Sequence, residues 1–200
     1  MLANLRRRSW CLILPALLLF PGMAAAAEFS AQMWIKEGDK TMPAKVFVQN
    51  GKIRQEFNDA GGRTVTIVRP DKKLFWVVMP QDKSFIEMPL KNKLPGQFIE
   101  MPPDAISKRQ VGTETVNGYE ADKYEVTVRG GPEGVTRQTV WVAKKLGAPI
   151  KMVCPDQNLC VEYKGIKEGG MSALLFEPPK GFTKTSSPIG FSSSMRQEIE

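Results

Sequence analysis

The side chains from which covalent or acid–base chemistry would begin are few and scattered in this sequence. No histidine occurs among the 200 residues, which removes the commonest general base, the Ser-His-Asp and Cys-His arrangements and the usual zinc ligands. The acidic residues stand at expected turns and strand ends, no two of them are placed as general acid and base, and no glycine-rich phosphate loop is present. We therefore predict a protein without enzymatic activity, cofactor or metal, and we rank a carboxylate-based enzyme lowest.

Two cysteines, Cys154 and Cys160, could form a covalent bond with each other. They flank the five residues PDQNL, whose composition favours a turn. In an oxidising compartment this spacing predicts a disulfide that closes a hairpin, with a stabilisation of about 2–2.5 kcal/mol in the chain-entropy estimate. A redox-active pair would have two intervening residues instead of five, so we expect a structural bond.

Methionine is the remaining side chain with a distinctive chemistry. Four methionines directly precede a proline, namely Met42, Met79, Met88 and Met101. Thioethers suit Cu(I), but the clustered Met-x-x-Met spacing that would support a copper site is absent. We therefore favour core filling first and second an adaptable apolar surface, which flexible methionine side chains provide.

The first 27 residues have the pattern of a cleaved secretory signal peptide. Three arginines at positions 6–8 precede an apolar stretch from Trp10 to Phe20, and alanines occupy positions 25–27. The predicted mature chain carries a net charge of +4 without a block of like charge, so we predict no nucleic-acid partner. The expected location is the periplasm, and a peripheral membrane contact is compatible with this charge.

The stretch from Arg63 to Met88 organises the mature chain, and we predict that it forms three strands joined by two tight turns. In the middle strand, LFWVVM at 74–79, apolar residues do not alternate with polar ones, although successive side chains of a strand point to opposite faces. Both faces must therefore be covered, or one of them must bind a ligand. With Pro70-Asp71 and Gln81-Asp82 as central turn residues, one face carries Val65, Ile67, Leu74, Trp76, Val78 and Phe85, and the other carries Phe75, Val77, Met79, Ile86 and Met88.

Turn signals divide the rest of the chain into short strands. Asn50-Gly51 and Asn117-Gly118 predict two-residue hairpins, and the first would place Val48 opposite Ile53. Many short strands without helical periodicity predict a mainly β fold with one large curled antiparallel sheet, in which consecutive strands are neighbours. A last strand is expected at 167–176.

Prolines interrupt the segment 89–108, which predicts a loop with one or two helical turns. We expect this loop to cover part of the second apolar face as a lid. The predicted organisation is a signal peptide at 1–27, one domain at 28–182 and a flexible tail at 183–200.

Several short motifs resemble those of the LolA/LolB-like superfamily of periplasmic outer-membrane lipoprotein carriers, and most closely its uncharacterised branch of small exported proteins. They are VTIVRPDK at 65–72, LFW at 74–76, Met79-Pro80, FIEMP at 85–89 and the closing LFEPPKGF at 175–182. The resemblance implies a half-open antiparallel barrel whose concave apolar face is lidded by short helices and binds acyl chains.

This resemblance leads to a predicted binding role for the second apolar face and the lid. The expected ligand is a lipid or the acyl chain of a lipoprotein, held by Phe75, Val77, Met79, Ile86, Met88, Phe98 and Met101. Trp76 and Phe85 are the alternative set if the two faces are reversed. The alternative function is an interaction or sensory module that recognises an envelope protein while its own lid fills the groove.

Overall fold

A computed structural model describes residues 27–59, 61–90, 105–129 and 134–186, which form one sheet of twelve strands. The predicted signal peptide up to residue 26 and most of the predicted lid lie outside the described residues. The strands are β1 (Glu28–Glu37), β2 (Lys40–Gln49), β3 (Lys52–Asp59), β4 (Gly62–Arg69), β5 (Leu74–Met79), β6 (Ser84–Pro89), β7 (Ser107–Val116), β8 (Tyr119–Arg129), β9 (Val135–Ala143), β10 (Ala148–Cys154), β11 (Leu159–Glu168) and β12 (Thr183–Lys184).

The sheet consists of two meanders joined side by side. Its spatial order is β12-β6-β5-β4-β3-β2-β1-β11-β10-β9-β8-β7. Neighbouring strands are therefore consecutive in the chain, except for the pairs β1–β11 and β12–β6. All pairings are antiparallel except the one between β12 and β6. The sheet curls without closing, and the predicted fold class is confirmed.

Two asparagine–glycine hairpins have the predicted geometry. Asn50 and Gly51 adopt φ values of 52° and 75°, which is the left-handed conformation that a two-residue hairpin turn requires. The register of β2 and β3 places Val48 opposite Ile53, as predicted, and Lys45 opposite Glu56. Asn117-Gly118 likewise joins β7 to β8, with Val116 opposite Tyr119.

Three other hairpins share a longer turn that begins with proline. Short 3-10 helices at Pro70–Lys72, Pro80–Asp82 and Pro155–Gln157 are each followed by one residue in the left-handed conformation. Arg69 therefore pairs with Leu74, whereas the predicted central pair Pro70-Asp71 would have paired it with Lys72. This difference of two positions leaves every side chain on its predicted face, because strand faces alternate with period two.

The predicted disulfide is absent, because the same turn separates its two cysteines. Cys154 pairs with Leu159 across the hairpin, and Cys160 pairs with Val153. Cross-strand partners share a face and adjacent residues do not, so the two thiols lie on opposite faces of the sheet. Both are free cysteines, Cys154 buried and Cys160 half-buried.

The chain leaves the sheet earlier than predicted and then returns to it. The predicted strand at 167–176 is wrong: β11 ends at Glu168, Gly169 and Gly170 follow with positive φ, and Ala173–Phe176 forms a 3-10 helix. The oxygen of Ser172 accepts a hydrogen bond from the Leu174 backbone, which caps this helix. Thr183–Lys184 then pairs with β6 as β12, so the sheet extends past the expected domain end at residue 182.

Candidate functional site

Five of the seven predicted ligand-binding residues lie together on one face of β5 and β6. Phe75 is opposite Met88 and Val77 is opposite Ile86, while Met79 follows on the same face of β5. Met88 is half-buried, and the others are at most 8% exposed. Phe98 and Met101 lie outside the described residues. The structure thus brings the five residues onto one surface, while their binding role stays a prediction.

This surface continues as an apolar row across six strands. We call the face of the sheet that bears it the inner face. The register links one inner-facing residue of each strand from β1 to β6. The row is Phe29, Val48, Ile53, Val68, Phe75 and Met88. Its members pack into one cluster that also includes Tyr163 of β11 and Val126 of β8, so the inner face is apolar over both meanders.

Tyr163 borders this row at the junction of the two meanders. Its ring centroid lies 6.0 Å from that of Phe29, and its side chain is fully buried. Burial raises the pKa of the Tyr163 hydroxyl well above its usual range. The residue is therefore a neutral part of the inner face at any physiological pH.

Polar side chains interrupt the neighbouring inner row. Gln55 and Thr66 stand between Val46 and Val77 in that row. Gln55 is only 6% exposed, and its Nε2 lies 3.8 Å from the sulfur of Met33. The sequence signal for this feature is a glutamine at an otherwise apolar position of the β2–β3 alternation.

The opposite face of β4–β6, here called the outer face, is covered by residues 171–182. Its core is Val65, Ile67, Trp76, Val78 and Phe176, with Phe85, Leu175 and Phe182 packed around it. The alternative ligand set, Trp76 and Phe85, thus packs against the protein's own residues 171–182. Within the described residues, this segment covers the outer face, which is the face opposite the predicted site.

Two arginines of the sheet bind the backbone of the covering segment. Arg54 donates to the carbonyl of Leu175 at 3.0 Å, and Arg69 donates to that of Phe176 at 3.1 Å. Both arginines are less than 10% exposed. Arg69 also donates to the Glu177 carboxylate, which forms a second ion pair with Lys72.

The acidic partners of Arg69 are held in the ionised state. Arg69 donates two hydrogen bonds, 2.8 and 2.7 Å long, to the carboxylate of Asp71, and they lower the pKa of Asp71 to about 2. Partial burial raises the pKa of Glu177, but the hydrogen bonds from Lys72 and Arg69 outweigh it and leave this pKa below its usual value. The segment is thus attached by charge as well as by apolar contact.

Other kinds of site find no support in the part of the chain that the structure describes. No group of three or more acidic or cysteine side chains there could hold a metal ion. No helix among the same residues is long and apolar enough to cross a membrane.

Comparison with known proteins identifies a family and an architecture. The profile of a family described as "Domain of unknown function (DUF4412)" matches residues 29–148, which is more than half of the chain. No curated protein matches the sequence.

Several solved structures share the fold at low sequence identity. An uncharacterized conserved protein from Thermus thermophilus superimposes with a TM-score of 0.55 at 13% identity, over 81% of this chain and 91% of that one. The MucA/MucB complex of Pseudomonas aeruginosa gives 0.50 at 15% identity, over 75% of this chain and 54% of the other. A LolA superfamily protein from Nitrosomonas europaea gives 0.35 at 13% identity, over 76% and 90%. A LolA superfamily protein is thus among the structural neighbours, and the two structures with the higher TM-scores show a likeness of fold alone.

Proposed function

We propose that this chain, which belongs to the DUF4412 family, is a non-enzymatic binding protein of the periplasm that holds an apolar ligand against its inner face. The ligand class is a lipid or the acyl chain of a lipoprotein. The observation that carries the proposal is the apolar row from Phe29 to Met88, which crosses six strands. The opposite face of the same strands already has its cover in residues 171–182.

The inner row suits an acyl chain because of its length and its lack of charge. Neighbouring strands are about 4.8 Å apart, so the row is roughly 24 Å long, and a ligand would insert between side chains that, apart from the half-buried Met88, are at most 7% exposed. Each methylene group removed from water contributes about 0.8 kcal/mol, so a long chain can bind there without any polar contact. Met79 and Met88 add flexible side chains that adjust to ligands of different shape.

Mass measurement on the purified protein tests the proposal directly. We expect protein prepared from the periplasm to carry additional mass in native mass spectrometry, or to take up a fluorescent fatty acid after delipidation. Protein that is free of ligand and takes up no fatty acid would contradict the proposal.

A matched pair of substitutions localises the ligand to one face. Met88→Ala removes a half-buried side chain from the inner face, and Leu74→Ala removes one from the outer face of the adjacent strand. We expect Met88→Ala to weaken fatty-acid binding about tenfold, while Leu74→Ala leaves it unchanged. An equal loss in both variants would indicate a general effect on folding instead.

A second candidate function is recognition of an envelope protein, and the edge strand β7 favours it. All its residues except Val116 are exposed, and no described strand pairs with its free edge. Such an edge can accept an extended peptide as an additional strand. A similar fold occurs in MucB, whose structure is described in complex with MucA.

Two proline substitutions on β7 test this alternative. Backbone N–H groups of a strand point alternately to either side, so Lys108→Pro and Arg109→Pro remove one outward and one inward donor. Loss of the outward donor should abolish capture of a stoichiometric, lipid-free protein partner from envelope extract without destabilising the hairpin. Loss of the inward donor should not have this combination of effects. Capture that survives both substitutions would exclude strand addition at this edge.

The proposed location rests on the predicted signal peptide. We expect the exported protein to begin at Glu28 and to fractionate with periplasmic proteins. N-terminal sequencing of the mature protein checks both points, and an intact residue 1 on the folded protein would contradict them.

A further inference from the structure

The outer face has a second region that the C-terminal segment does not cover. One cross-strand row there runs over β2, β1, β11, β10, β9 and β8. In order, its members are Pro43, Trp34, Glu162, Lys151, Trp141 and Lys123. The row thus holds two tryptophans and two lysines with one glutamate between them, and Trp34 is 40% exposed, whereas Trp141 is 7% exposed.

The two tryptophans of this row are surrounded by ammonium groups. The Trp141 ring has Lys123 Nζ at 5.2 Å and Lys151 Nζ at 5.1 Å from its centroid. Trp34 has Lys164 Nζ at 5.9 Å and remains 40% exposed. Trp34 is therefore a large aromatic side chain held at the surface among positive charges.

Further lysines extend the positive charge on both sides of Trp34. Gln32 of β1 lies between Lys45 and Lys164, and Ser30 lies opposite Lys167. Lys36 follows Trp34 on the same face. We call the group Trp34, Lys36, Lys45, Lys164 and Lys167 the lysine–tryptophan face.

Acidic residues do not neutralise this face. Lys36, Lys45 and Lys167 form no ion pair with any residue of the described ranges. Glu162, the acidic residue of the cross-strand row that contains Trp34, forms an ion pair with Lys164 at 3.4 Å. Glu56, which lies opposite Lys45, is already bound by Arg54 and Arg63. The excess positive charge is therefore open to a partner.

We propose that the lysine–tryptophan face docks onto the surface of a bilayer that contains anionic phospholipid, with Trp34 at the level of the headgroups. Lysines are compact point charges that suit a diffuse anionic surface, whereas bidentate recognition of a defined phosphate or carboxylate favours arginine, which this face lacks. Tryptophan prefers the membrane–water interface because its ring is apolar and its N–H is polar. The charges are also spread across a sheet surface and do not converge on a pocket.

Vesicle binding by the full mature chain tests this proposal. We expect binding to vesicles that contain phosphatidylglycerol, little binding to phosphatidylcholine alone, and loss of binding at high salt, because screening weakens exposed charges. The triple variant Lys36→Gln, Lys45→Gln and Lys164→Gln should bind roughly a hundredfold more weakly, at about fivefold for each lysine.

A charge-matched variant separates the face from the net charge. Lys73→Gln, Lys83→Gln and Lys180→Gln removes three exposed lysines elsewhere and should leave binding nearly unchanged. Equal weakening by both triple variants, or equal binding to neutral vesicles, would overturn the proposal. Binding to polyglutamate without binding to phosphatidylglycerol vesicles would also overturn it and would assign the face to an acidic protein.

Tryptophan fluorescence gives an independent readout. Trp76 and Trp141 are 5% and 7% exposed, so a blue shift on adding phosphatidylglycerol vesicles should come from Trp34 and vanish in Trp34→Phe. Emission that stays unchanged in the native chain would contradict insertion of Trp34. Fatty-acid uptake in the same variants reports on the inner face, so the two proposals can fail separately.

Discussion

The two regions of the outer face belong to one sheet, but they differ in the polarity of their outward side chains and in whether another segment covers them. Over β4–β6 the outward side chains include Val65, Ile67 and Trp76, and the C-terminal segment buries them. Over β1, β2 and β11 they include Gln32, Lys45 and Lys164, which are exposed. The outward residues of each strand therefore decide whether a second layer packs on the sheet. An apolar outer row requires a covering segment, whereas a charged row excludes such a segment.

Buried arginines lie at the border between the two regions. Arg54 and Arg69 use their guanidinium groups to satisfy backbone carbonyls of the covering segment, which has no sheet partner there. A buried carbonyl without a donor would be costly. The two arginines are therefore buried polar groups whose hydrogen bonds are made within the protein.

The largest expected effect comes from removing the central side chain of the cover. Phe176 is completely buried, so Phe176→Ala should lower the free energy of unfolding by about 3–5 kcal/mol. The aromatic residue of the uncovered region is the control: Trp34→Ala should cost less than about 1 kcal/mol, because Trp34 is partly exposed. Urea unfolding of both variants measures the contrast, and similar losses would refute it.

A smaller loss is expected from the arginine that anchors the cover. Arg69→Met removes the donor to Phe176 and the partner of Asp71 and Glu177, and we expect a loss of about 2–3 kcal/mol. Lys72→Gln removes the exposed partner of the same Glu177 and should cost less than about 1 kcal/mol. Thermal unfolding ranks the two, and an equal cost would show that Arg69 acts only as a surface ion pair.

Acid should loosen the covered region through Asp71. Its pKa is lowered to about 2 by Arg69, so its contribution to stability is complete above its unfolded pKa of about 4. The contribution is lost as the pH falls from about 4 to about 2. The half-exposed side chain limits it to under about 1 kcal/mol.

The variant Asp71→Asn isolates this contribution. The difference in unfolding free energy between the native chain and Asp71→Asn should shrink to zero over that pH interval. A difference that does not depend on pH would show that the Arg69–Asp71 pair does not stabilise the fold.

The smallest expected effect concerns the hairpin beneath the uncovered region. Because Cys154 and Cys160 face opposite sides of the sheet, dithiothreitol should leave the melting temperature unchanged. Thiol titration of the unfolded, unreduced protein should find both thiols free. A clear fall of the melting temperature on reduction would show that the disulfide does form and that it adds a covalent link to the uncovered region.

Local patterns in the sequence predicted much of the sheet. Asn50-Gly51 fixes its hairpin because its two residues tolerate the left-handed turn, and the register of β2 and β3 follows from it. The unbroken apolar run of β5 predicted that both faces are covered or that one of them binds a ligand, and the residues of both faces are buried apart from the half-buried Leu74. These features depend on neighbours in the chain and can therefore be read locally.

Features that depend on distant partners could not be predicted in the same way. The lid expected at 89–108 lies mostly outside the described residues, and the packing of residues 171–182 on the outer face was not predicted, because their partners Arg54, Arg69 and Trp76 are distant in the chain. The pairing of β1 with β11 has no signal in either strand alone. The disulfide failed because the turn uses four of the five residues between the cysteines, and a difference of one residue changes which face a side chain occupies.

The distance along the chain between the sheet and its cover has a consequence for biogenesis. Phe176 follows Arg69 by 107 positions, and a protein chain is synthesised from its N-terminus. The strands that contain Ile67 and Trp76 are therefore delivered long before the segment that shields them. During that interval the nascent protein exposes an apolar surface, and a product truncated before residue 171 would expose it permanently and become a substrate for chaperones and proteases.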